Sequence, residues 1–203
     1  MKKKTSKIWF LLIILIAIVV RGLTLMTPGL WWDEIIVGLM GLHVIHGDFP
    51  VFFYGQSFMG SLEAFFSGSL FQLIGVTPFA LELLPVILSL IFIVLQYFLV
   101  KKYFNNRVAL ISILLIAIPP LFLLRWIHEA RPHYPLTMIF GNLLLLISHQ
   151  LIYHPLPSQT KKLFYMALGL IAGIGWWTNY LIITFILPVG LFLFLENKKI
   201  SRN

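Results

Sequence analysis

Long apolar runs alternate with short polar breaks along this chain, and the runs set its architecture. Ile8–Val20 is uninterrupted, and apolar character continues past Arg21 to about Met26. Further runs are Ala80–Val100, Val108–Leu124 and Pro135–Tyr153, followed by Leu163–Leu195, which is interrupted at Trp176-Trp177-Thr178-Asn179. A helix needs about 20 apolar residues, at about 1.5 Å each, to cross roughly 30 Å of hydrocarbon. Lys161-Lys162 before the last run and Lys198-Lys199 after it belong on one side of a membrane. That makes the last run a hairpin of two shorter spans. The pattern predicts an all-α polytopic membrane protein with about six transmembrane helices. Continuous runs, instead of short alternating segments, exclude a transmembrane barrel. The first run also resembles a signal peptide, but no small-residue cleavage site follows it, so an uncleaved span is expected.

Composition agrees. Of 203 residues 60% are hydrophobic and 11% charged, with mean hydropathy +0.95, whereas a soluble domain carries about 25% charged residues. This excludes a soluble globule, a disordered tail and a nucleic-acid-binding module. The net charge of +8 follows from topology. With the N-terminus inside, the cytoplasmic side receives Lys2, Lys3, Lys4, Lys7, Lys101, Lys102, Arg107, Lys161, Lys162, Lys198, Lys199 and Arg202, with Glu196 its only acid. The outer side holds Arg21, Arg125 and Arg131 together with Asp33, Glu34, Asp48, Glu63, Glu82 and Glu129. This partition obeys the positive-inside rule and places both termini in the cytoplasm. The expected location is the plasma (inner) membrane, with the active face external. The absence of cysteine removes disulfides, thiol nucleophiles and thiolate metal sites.

The whole chain, 1–203, reads as one transmembrane domain whose first external loop covers 27–79. Within that loop Glu34–Gly47 and Ser57–Ile74 carry apolar residues at helical spacing and are expected as amphipathic interfacial helices. Trp31, Trp32, Phe52, Phe53 and Tyr54 would sit at headgroup depth. Pro50 and Phe53–Gly60, with Gly55 and Gly60, read as a turn between these helices.

Candidate chemistry collects at the outer face. Asp33-Glu34 lies just beyond the first span beside two tryptophans. Such a carboxylate, partly desolvated by indole rings, can act as a general base or can cap the next helix. Arg21, near the end of a span, calls for a carboxylate or lipid-phosphate partner. The segment Arg125–Tyr134 concentrates Arg125, His128, Glu129, Arg131 and His133; it suits a phosphate, or a divalent metal on Glu129 and a histidine. Beyond that metal ion no cofactor is indicated. His43 and His46 have i, i+3 spacing, a weak metal signal. His149 and His154 fall on the cytoplasmic side as structural residues.

Trp32-Asp33-Glu34, then Gly47, then Tyr54-Gly55-Gln56-Ser57-Phe58-Met59-Gly60-Ser61-Leu62-Glu63-Ala64 resembles the N-terminal part of the C-type membrane glycosyltransferases, the protein-mannosyltransferase-like and aminoarabinose-transferase-like families. Phe79-Ala80 leading to Pro85, Pro119-Pro120, and Gly173-Ile174-Gly175 before the Trp-Trp-Thr-Asn break strengthen the likeness. The resemblance implies transfer of a sugar from a polyprenyl-phosphate carrier to a glycan, lipid or protein acceptor at the outer face, usually with inversion. It gives Asp33 the role of base with Glu34 as its neighbour, and substrate contacts to Arg21, Gln56, Glu63, Arg125, His128 and Arg131. Glu129 takes the acidic position of the second external loop. Glu82 stands where relatives commonly have arginine. Members are usually more than twice this length, so the chain reads as the N-terminal part of such an enzyme. Two rivals remain: a non-catalytic membrane remnant or assembly partner on the same scaffold, and a solute transporter. The second is disfavoured because transporters place their ionisable residues near mid-membrane.

Overall fold

A computed structural model describes residues 3–26, 29–122, 124, 129 and 133–200. Helix α1 (Lys3–Thr24) is followed by α2 (Trp32–Ile45), a hairpin of β1 (Phe52–Phe53) and β2 (Gln56–Gly60), and α3 (Leu62–Ile74). Then come α4 (Pro78–Tyr103), α5 (Asn106–Ala117), α6 (Tyr134–Tyr153), α7 (Ser158–Thr178), a 3-10 turn at Tyr180–Ile182, and α8 (Ile183–Ile200). Apart from the one hairpin, the described architecture is all-α.

Among the described residues three helices are long and apolar enough to cross a membrane: Thr5–Thr24, Pro78–Tyr103 and Tyr134–Tyr153. Leu62–Ile74, Asn106–Ala117 and Tyr180–Glu196 are shorter apolar helices. Large apolar side chains face outward along them, among them Leu11 and Leu15 of α1, Ile111 and Leu115 of α5, and Leu187 and Leu191 of α8. A water-soluble surface does not tolerate such continuous stripes, whereas a lipid-facing one requires them.

Local chemistry explains the boundaries. Thr77 accepts from the Ala80 N–H at 3.1 Å, with Pro78 in the first turn, which starts α4. Asn105 accepts from the N–H groups of Arg107 and Val108 and starts α5. That helix ends at Ala117, before Pro119-Pro120, earlier than the apolar run alone indicates. The final run breaks at Asn179, as expected from its polar interruption: Asn179 accepts from Leu181 N–H and opens the 3-10 turn. Gly175 lets that turn approach, since a Cβ there would lie 2.9 Å from Ile182.

The helices α1, α4 and α5 share a core of Ile13, Ala17, Ile93, Tyr97 and Ile113. A second core, with Leu144, Ile182 and Val189, joins α6, α7 and α8. Leu84 and Leu88 of α4 meet Leu136 and Ile139 of α6. Between these spans the polar chain Asn142 Nδ2 to Gln96 Oε1 (3.0 Å) and Gln96 Nε2 to Ser112 Oγ (3.5 Å) crosslinks α6, α4 and α5.

The segment read as a turn is a two-stranded antiparallel sheet. Gly55, at φ +78°, makes its tight corner. Consequently the second amphipathic helix begins at Leu62, not Ser57, because Ser57–Gly60 pair with β1. Phe53 does not face outward: it is buried with Val37, Met40, Ala64 and Phe71 in the core under the hairpin. Helices α2 and α3 approach closely where Gly41 meets Gly68; a Cβ on Gly68 would lie 3.0 Å from the Gly41 carbonyl.

Candidate active site

The hairpin, the first turns of α2 and α3, the second turn of α4, and the residue preceding α6 bring four acidic or basic side chains into one buried layer. Glu34, Glu63, Glu82 and His133 are all nearly inaccessible. Their partners differ, and so does what each can do.

Asp33 and Glu34 separate cleanly. Glu34 turns inward and accepts from the Trp31 N–H at 2.9 Å, tying the first turn of α2. Trp31, not Asp33, occupies the N-cap. Asp33 is partly exposed, with no hydrogen bond or ion pair to the described residues. It lies between Trp32, which is 83% exposed, and the buried Glu34. Glu82 accepts from the Gly29 N–H at 3.1 Å, so this acid fastens the segment after α1 to the start of α4.

Glu63 is enclosed between α3 and the start of α6. Its Oε2 lies 3.9 Å from His133 Nδ1, beyond hydrogen-bond reach. Burial pushes the Glu63 carboxyl up to about 8; the Glu34 carboxylate adds to this and the His133 backbone N–H opposes it. Burial likewise pulls the His133 imidazole down to about 4, against a contact from the Gly60 backbone. Both groups are therefore neutral near pH 7. His133 also holds a left-handed backbone, φ +69°, and its ring meets Phe53 edge-on at 6.5 Å.

The two neutral groups predict a pH dependence. Folding raises the Glu63 pKa from 4.5 to about 8, so its stabilisation is full below about 4.5 and is lost as pH rises towards 8. Folding lowers that of His133 from 6.5 to about 4, so its stabilisation is full above about 6.5 and is lost as pH falls. Between 4.5 and 6.5 the slopes cancel; from 6.5 to 8 the Glu63 slope stands alone, approaching about 1.4 kcal/mol per pH unit. Melting temperature in detergent should fall across that upper window, and Glu63→Gln should flatten the fall. Equal slopes in both proteins would refute the assignment.

Arg21 is 1% exposed. Its Nε donates to Ser89 Oγ (2.7 Å), Nη1 to the carbonyls of Ala17 (3.4 Å) and Ala117 (3.3 Å), and Nη2 to that of Ile116 (3.1 Å). The guanidinium thus completes the carbonyl end of α5, where Pro119-Pro120 supply no N–H. Beside it Ser89, Phe92, Ile116, Met138, Leu181 and Phe185 line an almost wholly apolar cavity of about 500 Å³.

Gln56 is half-buried at the start of β2. Glu129 is buried, while Arg125, His128 and Arg131 lie outside the described residues. Among the described residues no group of three or more His, Asp or Glu converges as a metal site. His43 and His46 have local partners: His43 Nδ1 bonds to Tyr54 OH at 2.5 Å, and His46 Nδ1 to the Leu42 carbonyl at 2.7 Å. His149 stacks against Tyr103, Tyr153 and His154. Sequence reasoning missed the role of His133 and the burial of Glu63; the nearest signal was a histidine directly before the Tyr-Pro that opens α6.

Outward apolar faces, apolar helices of spanning length and a buried acidic layer at one end define an integral membrane protein with a polar site at the edge of its helical bundle. Residues 62–203 match the family described as dolichyl-phosphate-mannose-protein mannosyltransferase. The chain belongs to this family of membrane glycosyltransferases. No curated protein and no solved structure matches it. The match includes Glu63, Glu82, Glu129 and His133; Arg21, Asp33, Glu34 and Gln56 precede it.

Proposed function

We propose that the chain is the N-terminal part of an enzyme that transfers a sugar from a polyprenyl-phosphate carrier to an acceptor at the outer face of the membrane, with Asp33 as general base. The observation that carries the reading is the contrast between neighbouring carboxylates. Asp33 is accessible and unengaged among the described residues, while Glu34 is buried and bonded to Trp31 N–H. A base must meet its substrate; a helix tie must not.

In this reading Asp33 takes the acceptor hydroxyl proton as that oxygen attacks the anomeric carbon. The bond from that carbon to the phosphate oxygen breaks, and the polyprenyl phosphate leaves from the opposite face with inversion. Arg125, His128 and Arg131 meet the departing phosphate charge, and Gln56 contacts the sugar. Glu63, a neutral acid beside His133, acts by fixing the start of α3 against the start of α6. The cavity beside Ser89 is apolar enough to take isoprenoid chain, and Arg21 braces its wall. The outward assignment rests on the positive-inside distribution of lysine and arginine.

The test is transfer itself. Membranes carrying the protein, given radiolabelled polyprenyl-phosphate mannose or polyprenyl-phosphate aminoarabinose, should release polyprenyl phosphate and label an endogenous acceptor. No turnover of either donor, combined with stoichiometric co-purification of another membrane protein, would replace this reading with that of an assembly partner.

A further inference from the structure

A second concavity opens on the other side of the hairpin, separate from the acidic layer. Phe52, Ser57, Phe58, Trp176, Trp177 and Tyr180 line an open groove of about 600 Å³. Its two walls come from distant sequence. The hairpin supplies one, and the break between α7 and α8 supplies the other.

The walls are firmly joined. Met59 and Asn179 form an antiparallel bridge, and Asn179 Nδ2 approaches Met59 Sδ at 3.8 Å. Trp177 Nε1 donates to the Val51 carbonyl at 3.0 Å. Phe58 meets Tyr180 edge-on at 5.8 Å. Gly60 packs directly under Trp177: a Cβ there would lie 2.7 Å from both its ring and its carbonyl oxygen. On β1 the alternation separates the two sides, with Phe53 in the core and Phe52 towards the groove.

These contacts distinguish the groove from an aromatic belt at the membrane surface. A belt tryptophan sends its indole N–H to lipid headgroups. Here Trp177 spends that donor on the hairpin, and what remains for a ligand is ring face. Trp176 and Phe58 are 53% and 58% exposed, although they border a concave, braced surface. Aromatic faces carry negative quadrupole charge and attract the polarised axial C–H bonds of a pyranose, while Ser57 offers a hydroxyl for its equatorial groups. The described lining is aromatic rings and one hydroxyl, a surface that suits an uncharged sugar ring better than a phosphate.

We propose that this groove is a carbohydrate subsite that holds a neutral pyranose of the acceptor against Trp176, Trp177 and Phe58. The inference deepens the function proposed above and rests on that reading for the word acceptor, but its test does not depend on turnover.

The protein in phosphatidylcholine nanodiscs is titrated with manno-, gluco- and galacto-tetraoses, reading tryptophan fluorescence and saturation-transfer NMR. At least one series should bind saturably with millimolar affinity, the range expected for a few stacking contacts. Trp176→Ala and Phe58→Ala should each weaken binding about tenfold, and Trp176→Phe should retain most of it. A parallel titration with dodecyl glycosides of the same sugars separates a free glycan from the headgroup of a glycolipid. Tighter binding that still requires Trp176 points to the glycolipid. The proposal falls if no sugar series binds, if Trp176→Ala binds as wild type does, or if brominated phosphatidylcholine quenches Trp176 as fully with saturating sugar as without it. Sugar binding without transfer would sink the function and spare the groove; transfer without sugar binding would do the opposite.

Discussion

Asp33→Asn should reduce sugar transfer by about 10²–10⁴-fold, the range by which a positioned general base accelerates proton abstraction. The isosteric amide keeps the shape and removes only the proton acceptor. Its structural cost should be small, because Asp33 is partly exposed and has no hydrogen bond to the described residues. What it forfeits is an anion in the first turn of α2, worth about 0.3–1 kcal/mol. Glu34→Gln is the matched control. It weakens the acceptor for Trp31 N–H and should act mainly on stability, leaving turnover per folded molecule within a few fold. Donor turnover normalised to folded protein separates the two. Near-wild-type turnover in Asp33→Asn would show that another group takes the proton.

Arg21→Met should be the most destabilising single substitution in the helical bundle. Methionine fills much of the space but donates no hydrogen bond. The carbonyls of Ile116 and Ala117 would then lose their partner inside the bundle, while the Ser89 hydroxyl keeps its bond to the Val86 carbonyl. Each buried polar group left unpaired costs about 1–3 kcal/mol, and water is not there to replace the lost donor. The sum should be about 3–5 kcal/mol, near the top of the range for point substitutions. Arg21→Lys should recover only part of this, since one ammonium cannot follow the fork of a guanidinium across Ser89 and two carbonyls. Thermal unfolding in detergent, read by size-exclusion of the heated protein, measures both. If Arg21→Met melts within a degree or two of wild type, the bonds to α5 contribute little.

What the sequence disclosed and what it hid divide along the range of the interactions. Thr77-Pro78, Asn105 and the polar break at Asn179 act within a few residues of themselves, and the elements they start or stop were readable. The hairpin was not. Its first strand is two residues long and its partner five, too short for alternation to register, so Gly55 and Gly60 announced only a turn. Arg21 attracted attention as an arginine near the end of a span, but carboxylate and phosphate were the natural partners to expect. Besides the Ala17 carbonyl one turn back, its acceptors Ser89, Ile116 and Ala117 lie 68, 95 and 96 residues away, where no local pattern reaches. Asp33 and Glu34 are adjacent in sequence with nothing to rank them; one rotation along a helix puts one in solvent and the other in the core. His133 and Glu63 share that limit, because a pair 70 residues apart becomes visible only when α3 and α6 are laid side by side.

The bonds from α1 to α5 also make the two helices depend on each other. Helix α5 has 12 residues, a rise of about 18 Å against the roughly 30 Å of a hydrocarbon core. The group that satisfies its carbonyl end is on α1, which is synthesised before α5, and Asn106 at the other end of α5 bonds to Ser6 at 2.5 Å. Until α5 is synthesised, Arg21 lacks its acceptors on that helix; without α1, the Ile116 and Ala117 carbonyls lack their donor. For that reason α1 cannot be exchanged for a generic membrane anchor, which would carry neither the Arg21 fork nor the Ser6 hydroxyl that hold α5.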